Sequence, residues 1–243
     1  MIKKRNAPKG YDNLIKEISA RFDVSERFSA LLVSRGVTDL EKAEAFLYPN
    51  KKHLHDPFLL DGMKEATERL LAAKNNGETV VIYGDYDADG ISAVTVLYKG
   101  LKDFGISAYA VIPERENGYG LTEGVLESVL DEYCPDLIVT VDCGISSHDE
   151  IENLKDLGVD VIVTDHHELP EVIPECTVIN CKKKGNYPFD GLCGAGVAYK
   201  LVRALTGENA DKYLDIVTVA TIADSMPITD ENRVIVSEGL KLI

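Results

Sequence analysis

The sequence predicts an α/β fold in which a mainly parallel β-sheet is flanked by helices, with a mostly helical N-terminal segment in front of it. From residue 79 onward, short apolar runs rich in Val and Ile alternate with helical patterns of about a dozen residues, which is typical of βαβ units. Before residue 79, apolar residues recur at helical spacing instead. We therefore divide the chain into a helical segment, residues 1–78, and an α/β domain, residues 79–243.

The individual elements follow from apolar periodicity and from glycine or proline punctuation. In the first segment, residues 25–46 are predicted to be helical with a break at Gly36, and residues 63–73 resume the helical pattern. The predicted strands of the α/β domain are residues 80–83, 108–112, 137–141, 159–163 and 177–179. The predicted helices are residues 91–104, 122–133, a helix opened by a capping box at 147–150, residues 194–205, and the apolar run 213–223, whose length favours a helix.

Composition limits the possible classes of protein. The chain has 243 residues, of which 45% are hydrophobic, but it contains no apolar run near 18 residues and no signal segment after its basic N-terminus. Its five cysteines lack Cys-x-x-Cys spacing, so we expect a reducing cytoplasm and no membrane association. A metal shared by Cys176, Cys181 and Cys193 is disfavoured because structural zinc uses closely paired ligands.

The net charge of −15 argues against a broad nucleic-acid-binding face. It is compatible with a nuclease, since bound metal ions reverse the local field of an acidic site. The basic cluster at residues 182–184 is interpreted as a solvated loop. Because the sequence remains apolar up to Ile243, we expect it to be part of a longer protein.

The acids Asp85, Asp87 and Asp89 directly follow the first predicted strand. Two like charges about 4 Å apart repel by about 4 kcal/mol at an effective dielectric constant near 20, which a divalent cation would relieve. An EF-hand loop begins similarly, but it follows a helix and needs a Glu at its twelfth position, where this chain has Val96. The pattern therefore indicates a metal or phosphate site at the end of a strand.

Further candidate ligands follow other apolar runs: Asp142, the tripeptide at 165–167 and Asp224. Each acid alone is explained as a turn or cap residue, and Asp89 in particular could cap the helix predicted to begin near Ile91. Parallel strands, however, bring their carboxyl ends to one rim of the sheet. Mixed carboxylate and imidazole ligands suit Mn²⁺, Fe²⁺ or Zn²⁺, and their number suits two ions, so the residues predict metal-assisted phosphoester hydrolysis.

Taken in order, these motifs resemble the DHH phosphoesterase superfamily, and within it the single-strand-specific 5′→3′ DNA exonucleases. The resemblance runs from about Ser25 to the last residue. It is carried by residues 55–60, 81–90, Arg115 with 118–121, 142–144, 165–167, 187–189, 194–198, Asp224 and 231–233.

The resemblance implies a site with two Mn²⁺ ions, or Mg²⁺ in their place. The implied metal ligands are Asp85, Asp87, Asp142, His166 and Asp224, with Asp142 as the bridge. The implied catalytic residues are His167 beside the scissile phosphate, Asp89 in or next to the ligand set, and Arg115 at a phosphate. The implied substrate-binding residues are Gly118, Tyr119, Gly120 and Gly144, where glycine permits close backbone approach.

The resemblance further implies the catalytic domain of an exonuclease of DNA repair and recombination, acting on single-stranded DNA alongside helicases or single-strand-binding proteins. A second substrate-binding module with a Gly-Gly-Gly-His motif and an OB-fold belong to this pattern, and neither occurs in the sequence. We therefore expect weak activity from this chain alone. The alternatives are a related phosphodiesterase acting on short oligoribonucleotides or cyclic dinucleotides, and a non-catalytic scaffold.

Overall fold

The computed structural model describes residues 10–118 and 120–243, and the chain divides into two compact units, Met1–Leu54 and His55–Ile243. The smaller unit contains the helices α1 (Asp12–Phe22), α2 (Glu26–Ser34) and α3 (Leu40–Leu47). Ser25 and Asp39 cap the N-termini of α2 and α3, because their side chains accept hydrogen bonds from backbone N–H groups in the first turn. A small core of buried apolar side chains, including Ile18, Leu32 and Ala43, holds the three helices together.

The larger unit is built on a parallel sheet, as the sequence predicted. In the described residues the sheet has five strands in the order β2-β1-β3-β4-β5, all parallel to their neighbours. The strands are β1 (Val80–Gly84), β2 (Ala108–Val111), β3 (Leu137–Val141), β4 (Asp160–Asp165) and β5 (Thr177–Asn180). Every residue of β1 and β3 is buried, because helices cover both faces of the sheet.

Seven helices in the described part of the larger unit surround this sheet. They are α4 (Met63–Asn76), α5 (Ala88–Phe104), α6 (Glu123–Tyr133), α7 (His148–Asp156), α8 (Gly194–Thr206), α9 (Leu214–Ala223) and α10 (Asp230–Gly239). Helices α6 and α7 pack on one face of the sheet, and α5 and α8 contact the central strands and each other. The apolar run that favoured a helix is α9. No helix in the described part of the chain has the length and apolar character needed to cross a bilayer.

Two details differ from the sequence-based description. The helix α4 was grouped with the N-terminal segment, but it lies within the larger unit, which begins at His55. The capping box predicted at the start of α7 is absent, since the Ser147 side chain makes no cap hydrogen bond there. Its hydroxyl instead accepts the backbone N–H of Leu121 at 3.4 Å, a tertiary contact that a local pattern cannot show.

Candidate active site

The carboxyl ends of three adjacent strands bring the predicted acids and histidines together. Asp85 follows β1, Asp142 follows β3, and β4 leads into His166. One side-chain oxygen from each of Asp85, Asp87 and Asp142 lies within 4.8 Å of the other two. At this site the same distance limit holds for two further groups of possible metal-ligating atoms: Asp142, His166 and His167, and Asp89, His166 and Asp224.

Asp142 belongs to two of these groups and lies between them. It has a left-handed backbone conformation, with φ at 60°, and its N–H donates to the carbonyl of Thr164 at 2.9 Å. This conformation turns the chain sharply at the end of β3, where Asp142 Oδ1 lies 3.1 Å from His166 Nε2. Burial, together with the nearby charge of Asp89, raises the pKa of Asp142 to about 7, although the His166 contact opposes the shift.

Asp89 holds the start of α8 against the site. Its two carboxylate oxygens accept the backbone N–H groups of Gly194 at 2.6 Å and Ala195 at 2.8 Å, an arrangement that the positive end of a helix dipole favours. The suggestion that Asp89 caps α5 is wrong. Asp87 is the cap and accepts the N–H of Gly90 at 2.9 Å, because α5 begins at Ala88, earlier than the periodicity indicated.

Asp165 lies beside the two histidines and orients the ring of His167. Its Oδ1 accepts the backbone N–H groups of His166 and His167 and lies 2.8 Å from His167 Nδ1, while Oδ2 accepts the N–H of Ile145. Burial alone would raise the pKa of Asp165, but the hydrogen bonds and charge of His167 lower it. The pKa of His167 is raised to about 9, and the hydrogen bond to Asp165 is the largest cause of this shift. In the sequence, Asp165 counted only as one of the candidate ligands in the tripeptide 165–167, and not as the residue that orients His167. The local signal is the tendency of an Asp side chain to accept the backbone N–H two residues further on, as in an Asx turn.

Asp224 reaches the site from a helix and not from a strand. It follows the last residue of α9, with one third of its side chain exposed and Oδ2 at 3.8 Å from His166 Nε2. His166 therefore lies between Asp142 on the sheet side and Asp224 on the helix side.

Arg115 lies beside the loop that carries Asp85 and Asp87. Its guanidinium carbon is 5.1 Å from the centre of the Tyr86 ring, and the side chain is exposed. The loop after Arg115 contains Gly118, which is exposed with φ at 95°. Tyr119, predicted to contact substrate, lies outside the described residues.

Two predicted substrate-binding glycines occupy tightly packed turns. Gly120 has φ at 82°, and its carbonyl accepts the hydroxyl of Tyr83 at 3.1 Å. Gly144 has φ at 101° and is buried, and a Cβ atom there would lie 2.6 Å from Thr140 Oγ1. Both positions require glycine for the conformation of the chain.

The donor atoms at the site fit divalent metal ions. Burial raises the pKa of Asp85 and of Asp89, as it does that of Asp142, because several carboxylates share a region with little water. Among the described residues, the buried atoms Asp85 Oδ1 and His166 Nδ1 have no hydrogen-bond partner. Carboxylate donors predominate in the three overlapping groups and suit Mn²⁺, and a mixed carboxylate and imidazole set also suits Fe²⁺ or Zn²⁺.

Comparison with known proteins gives matches along most of the chain. Residues 79–221 match the N-terminal domain of the DHH family. The chain is 40% identical over 230 residues to the single-stranded-DNA-specific exonuclease RecJ of Bacillus subtilis (strain 168), a match that covers 93% of the chain and 29% of that protein.

Two solved structures of RecJ from Thermus thermophilus share the fold. The structure in complex with Mn²⁺ has a TM-score of 0.76 and 32% identity, and covers 93% of this chain and 33% of its own. The structure in complex with Mg²⁺ has a TM-score of 0.66 and 29% identity, and covers 93% of this chain and 29% of its own. The chain thus spans about a third or less of the length of these relatives, and it belongs to the DHH family.

Proposed function

We propose that this chain is the catalytic domain of a metal-dependent exonuclease that hydrolyses single-stranded DNA from its 5′ end, in DNA repair and recombination. The observation that carries the proposal is the position of Asp142, whose carboxylate belongs to two overlapping groups of metal-ligating atoms. The names of the relatives, single-stranded-DNA-specific exonucleases, support the choice of substrate.

Five residues are proposed to hold two Mn²⁺ ions, or Mg²⁺ in their place: Asp85, Asp87, Asp142, His166 and Asp224. Asp142 would be shared by both ions. When bound, such a pair supplies an activated water and neutralises charge on the phosphoryl group. The relatives crystallised with Mn²⁺ and with Mg²⁺ support the choice of these metals.

Residues around the ligands are proposed to bind and orient the substrate. His167, kept protonated at neutral pH by Asp165, would donate a hydrogen bond from Nε2 to the scissile phosphate. Arg115 would contact a phosphate from the rim of the site, and the backbone of Gly118 and Gly120 would approach the nucleotide. Asp89 would keep the start of α8 in place through its two backbone hydrogen bonds.

The proposal also covers the rate expected of this chain alone, its partner proteins and its location in the cell. Single-strand binding uses a basic groove and stacking aromatics, whereas this chain carries a net charge of −15, so we expect slow digestion by the chain alone. Because duplex DNA must be opened before such an enzyme acts, helicases and single-strand-binding proteins are the proposed partners. The five free cysteines support a location in the reducing cytoplasm.

The test is a single-turnover assay with excess protein and Mn²⁺ on end-labelled single-stranded DNA, duplex DNA, short RNA and cyclic dinucleotides. We expect mononucleotides to be released from the 5′ end of single-stranded DNA, and Asp142→Ala to abolish their release. The control Asp131→Ala changes an exposed acid on α6 and should leave the rate unchanged. Preferred cleavage of RNA or cyclic dinucleotides would favour the related phosphodiesterase, and metal binding without any hydrolysis would favour a scaffold.

A further inference from the structure

Three sequence motifs that have no role in the proposed chemistry meet at helix α10: residues 55–60, 187–189 and 231–233. The Glu231 carboxylate accepts hydrogen bonds from the His55 backbone N–H, the Tyr187 hydroxyl and the Lys200 ammonium group. Glu231 and Lys200 are fully buried. Because a buried ion pair is stable only when its geometry is well satisfied, this network fixes α10 against α8, the helix that carries Lys200.

The next residue on α10, Asn232, joins two loops that lead to the site. Its side chain is fully buried, and Nδ2 donates to the carbonyl of Gly191 at 2.6 Å and to the carbonyl of Pro227 at 3.1 Å. Gly191 lies three residues before Gly194, the first residue of α8, and Pro227 lies three residues after Asp224. One side-chain amide therefore connects the segment before α8 to the segment after α9.

The two loops are also in direct contact, which leaves little freedom around this amide. A Cβ atom at Gly191 would lie 2.6 Å from the Phe189 ring and 3.2 Å from Pro227 Cγ. On the other side of Pro227, the N–H of Met226 donates to the carbonyl of Thr221 in α9. The loop after Asp224 is thus held at one end by α9 and at the other by Asn232.

Each loop adjoins one acid that lies beside His166. The start of α8 donates the N–H groups that hold Asp89, and the other loop begins at Asp224. Asp89 and Asp224 lie 3.7 and 3.8 Å from His166 Nε2. A change in the distance between the loops would therefore change the separation of these carboxylates.

We propose that Asn232 is a positioning residue for this centre, which sets the separation of Asp89 and Asp224 around His166 by joining their loops from outside the site. This inference rests on the proposed metal site. An asparagine suits the task because its amide nitrogen carries two hydrogens for two carbonyls. An aspartate of the same shape has no donor at all when ionised.

The experiment compares the wild type with Asn232→Ala, Asn232→Asp and the milder Asn232→Ser. The control is Val234→Ala, which removes buried volume from the same helix without removing a hydrogen bond. Amide hydrogen exchange of Gly194 and Ala195 is measured in the metal-free proteins by NMR, and Mn²⁺ affinity is then measured by calorimetry on the folded fraction.

We expect exchange at Gly194 and Ala195 to be faster in Asn232→Asp and Asn232→Ala than in Val234→Ala, even where the melting temperatures are equal. We also expect Mn²⁺ affinity to fall by about tenfold in these two variants, by less in Asn232→Ser, and not at all in the control.

Two results would overturn the inference, and they differ in what they say about the function. If Asn232→Asp has the same amide exchange rates and the same Mn²⁺ affinity as the wild type, the positioning role alone is refuted, whether or not the chain is a nuclease. Failure of the wild type to bind Mn²⁺ would remove the metal site and the positioning role together.

Discussion

Asp165 and His167 are two residues apart, and a single oxygen of Asp165 is hydrogen-bonded to both the backbone N–H and the ring Nδ1 of His167, at 3.0 and 2.8 Å. The contact fixes the orientation of the ring and leaves Nε2 as the atom that can face a substrate. It also forms an ion pair between the protonated imidazole and a carboxylate that is almost completely buried. Asp165, the first residue of the Asp-His-His motif, therefore holds the ring of His167, the third residue, in position.

We expect Asp165→Asn to lower kcat by about 10- to 100-fold, the range typical of residues that hold the histidines of a metal site in position. An amide cannot hold an imidazolium as a carboxylate does, so the pKa of His167 would fall when Asp165 is replaced. Steady-state kinetics on single-stranded DNA with Mn²⁺ would measure the effect. Asp160→Asn makes the same change at an exposed acid on the same strand and should have no effect, and equal kcat values for the two variants would refute the role of Asp165.

The Asp165–His167 pair also predicts a pH dependence of stability. The pKa of His167 is raised from 6.5 to about 9 in the folded chain, so the pair stabilises the fold fully below pH 6.5 and loses this contribution as the pH rises through about 9. Between about pH 6 and pH 10, we expect the wild type to lose about 1 kcal/mol more than His167→Gln, a value discounted because the ring is 44% exposed. Urea unfolding of metal-free protein measures this, and parallel pH curves would contradict it.

The close approach of α8 to Asp142 predicts a large effect for a small substitution. A Cβ atom at Gly194 would lie 2.4 Å from Oδ1 of Asp142 and 2.5 Å from its Cβ. We expect Gly194→Ala to lower the free energy of unfolding by about 1–3 kcal/mol and to weaken Mn²⁺ binding. Gly124→Ala on α6, where no atom lies within 4 Å of the added Cβ, should instead stabilise by about 0.4–1 kcal/mol because it restricts the unfolded chain. Similar effects of the two changes in chemical denaturation would contradict the packing described for Gly194.

The buried pair of Lys200 and Glu231 predicts a stability effect away from the site. Removing the cation by Lys200→Met leaves the Glu231 charge buried, which costs about 3–5 kcal/mol. The matched change Lys212→Met removes an exposed lysine that pairs with Asp103 and should leave the unfolding midpoint unchanged. Equal midpoints for the two variants would show that Lys200 is not needed to balance the charge of Glu231.

The sequence predicted the parts of the site that depend on strand order. Alternating elements indicate a parallel sheet, and a parallel sheet places Asp85, Asp142 and His166 at one rim, where the structure has them. Local spacing suggested Asp89 as the cap of α5, whereas the cap is Asp87. That choice depends on where the helix begins, and Asp89 is drawn instead to the backbone of α8, more than one hundred residues away in the chain.

Other features were not predictable because they depend on contacts distant in sequence. Ser147 fits a capping box, yet its hydroxyl binds the backbone of Leu121. Charged residues such as Lys200 and Glu231 are typical of surface positions in a helical pattern, but they are buried because they pair with each other. The position of α4 in the larger unit is likewise set by packing and not by its own periodicity.

The central claim is that Asp142 is shared by two metal ions, and a calorimetric Mn²⁺ titration of the wild type and Asp142→Ala tests it most directly. We expect the wild type to bind two ions per chain, Asp142→Ala to bind none, and the surface control Asp131→Ala to bind as the wild type does. If Asp142→Ala is folded and still binds two Mn²⁺ ions, Asp142 does not bridge them and the proposed metal centre is wrong.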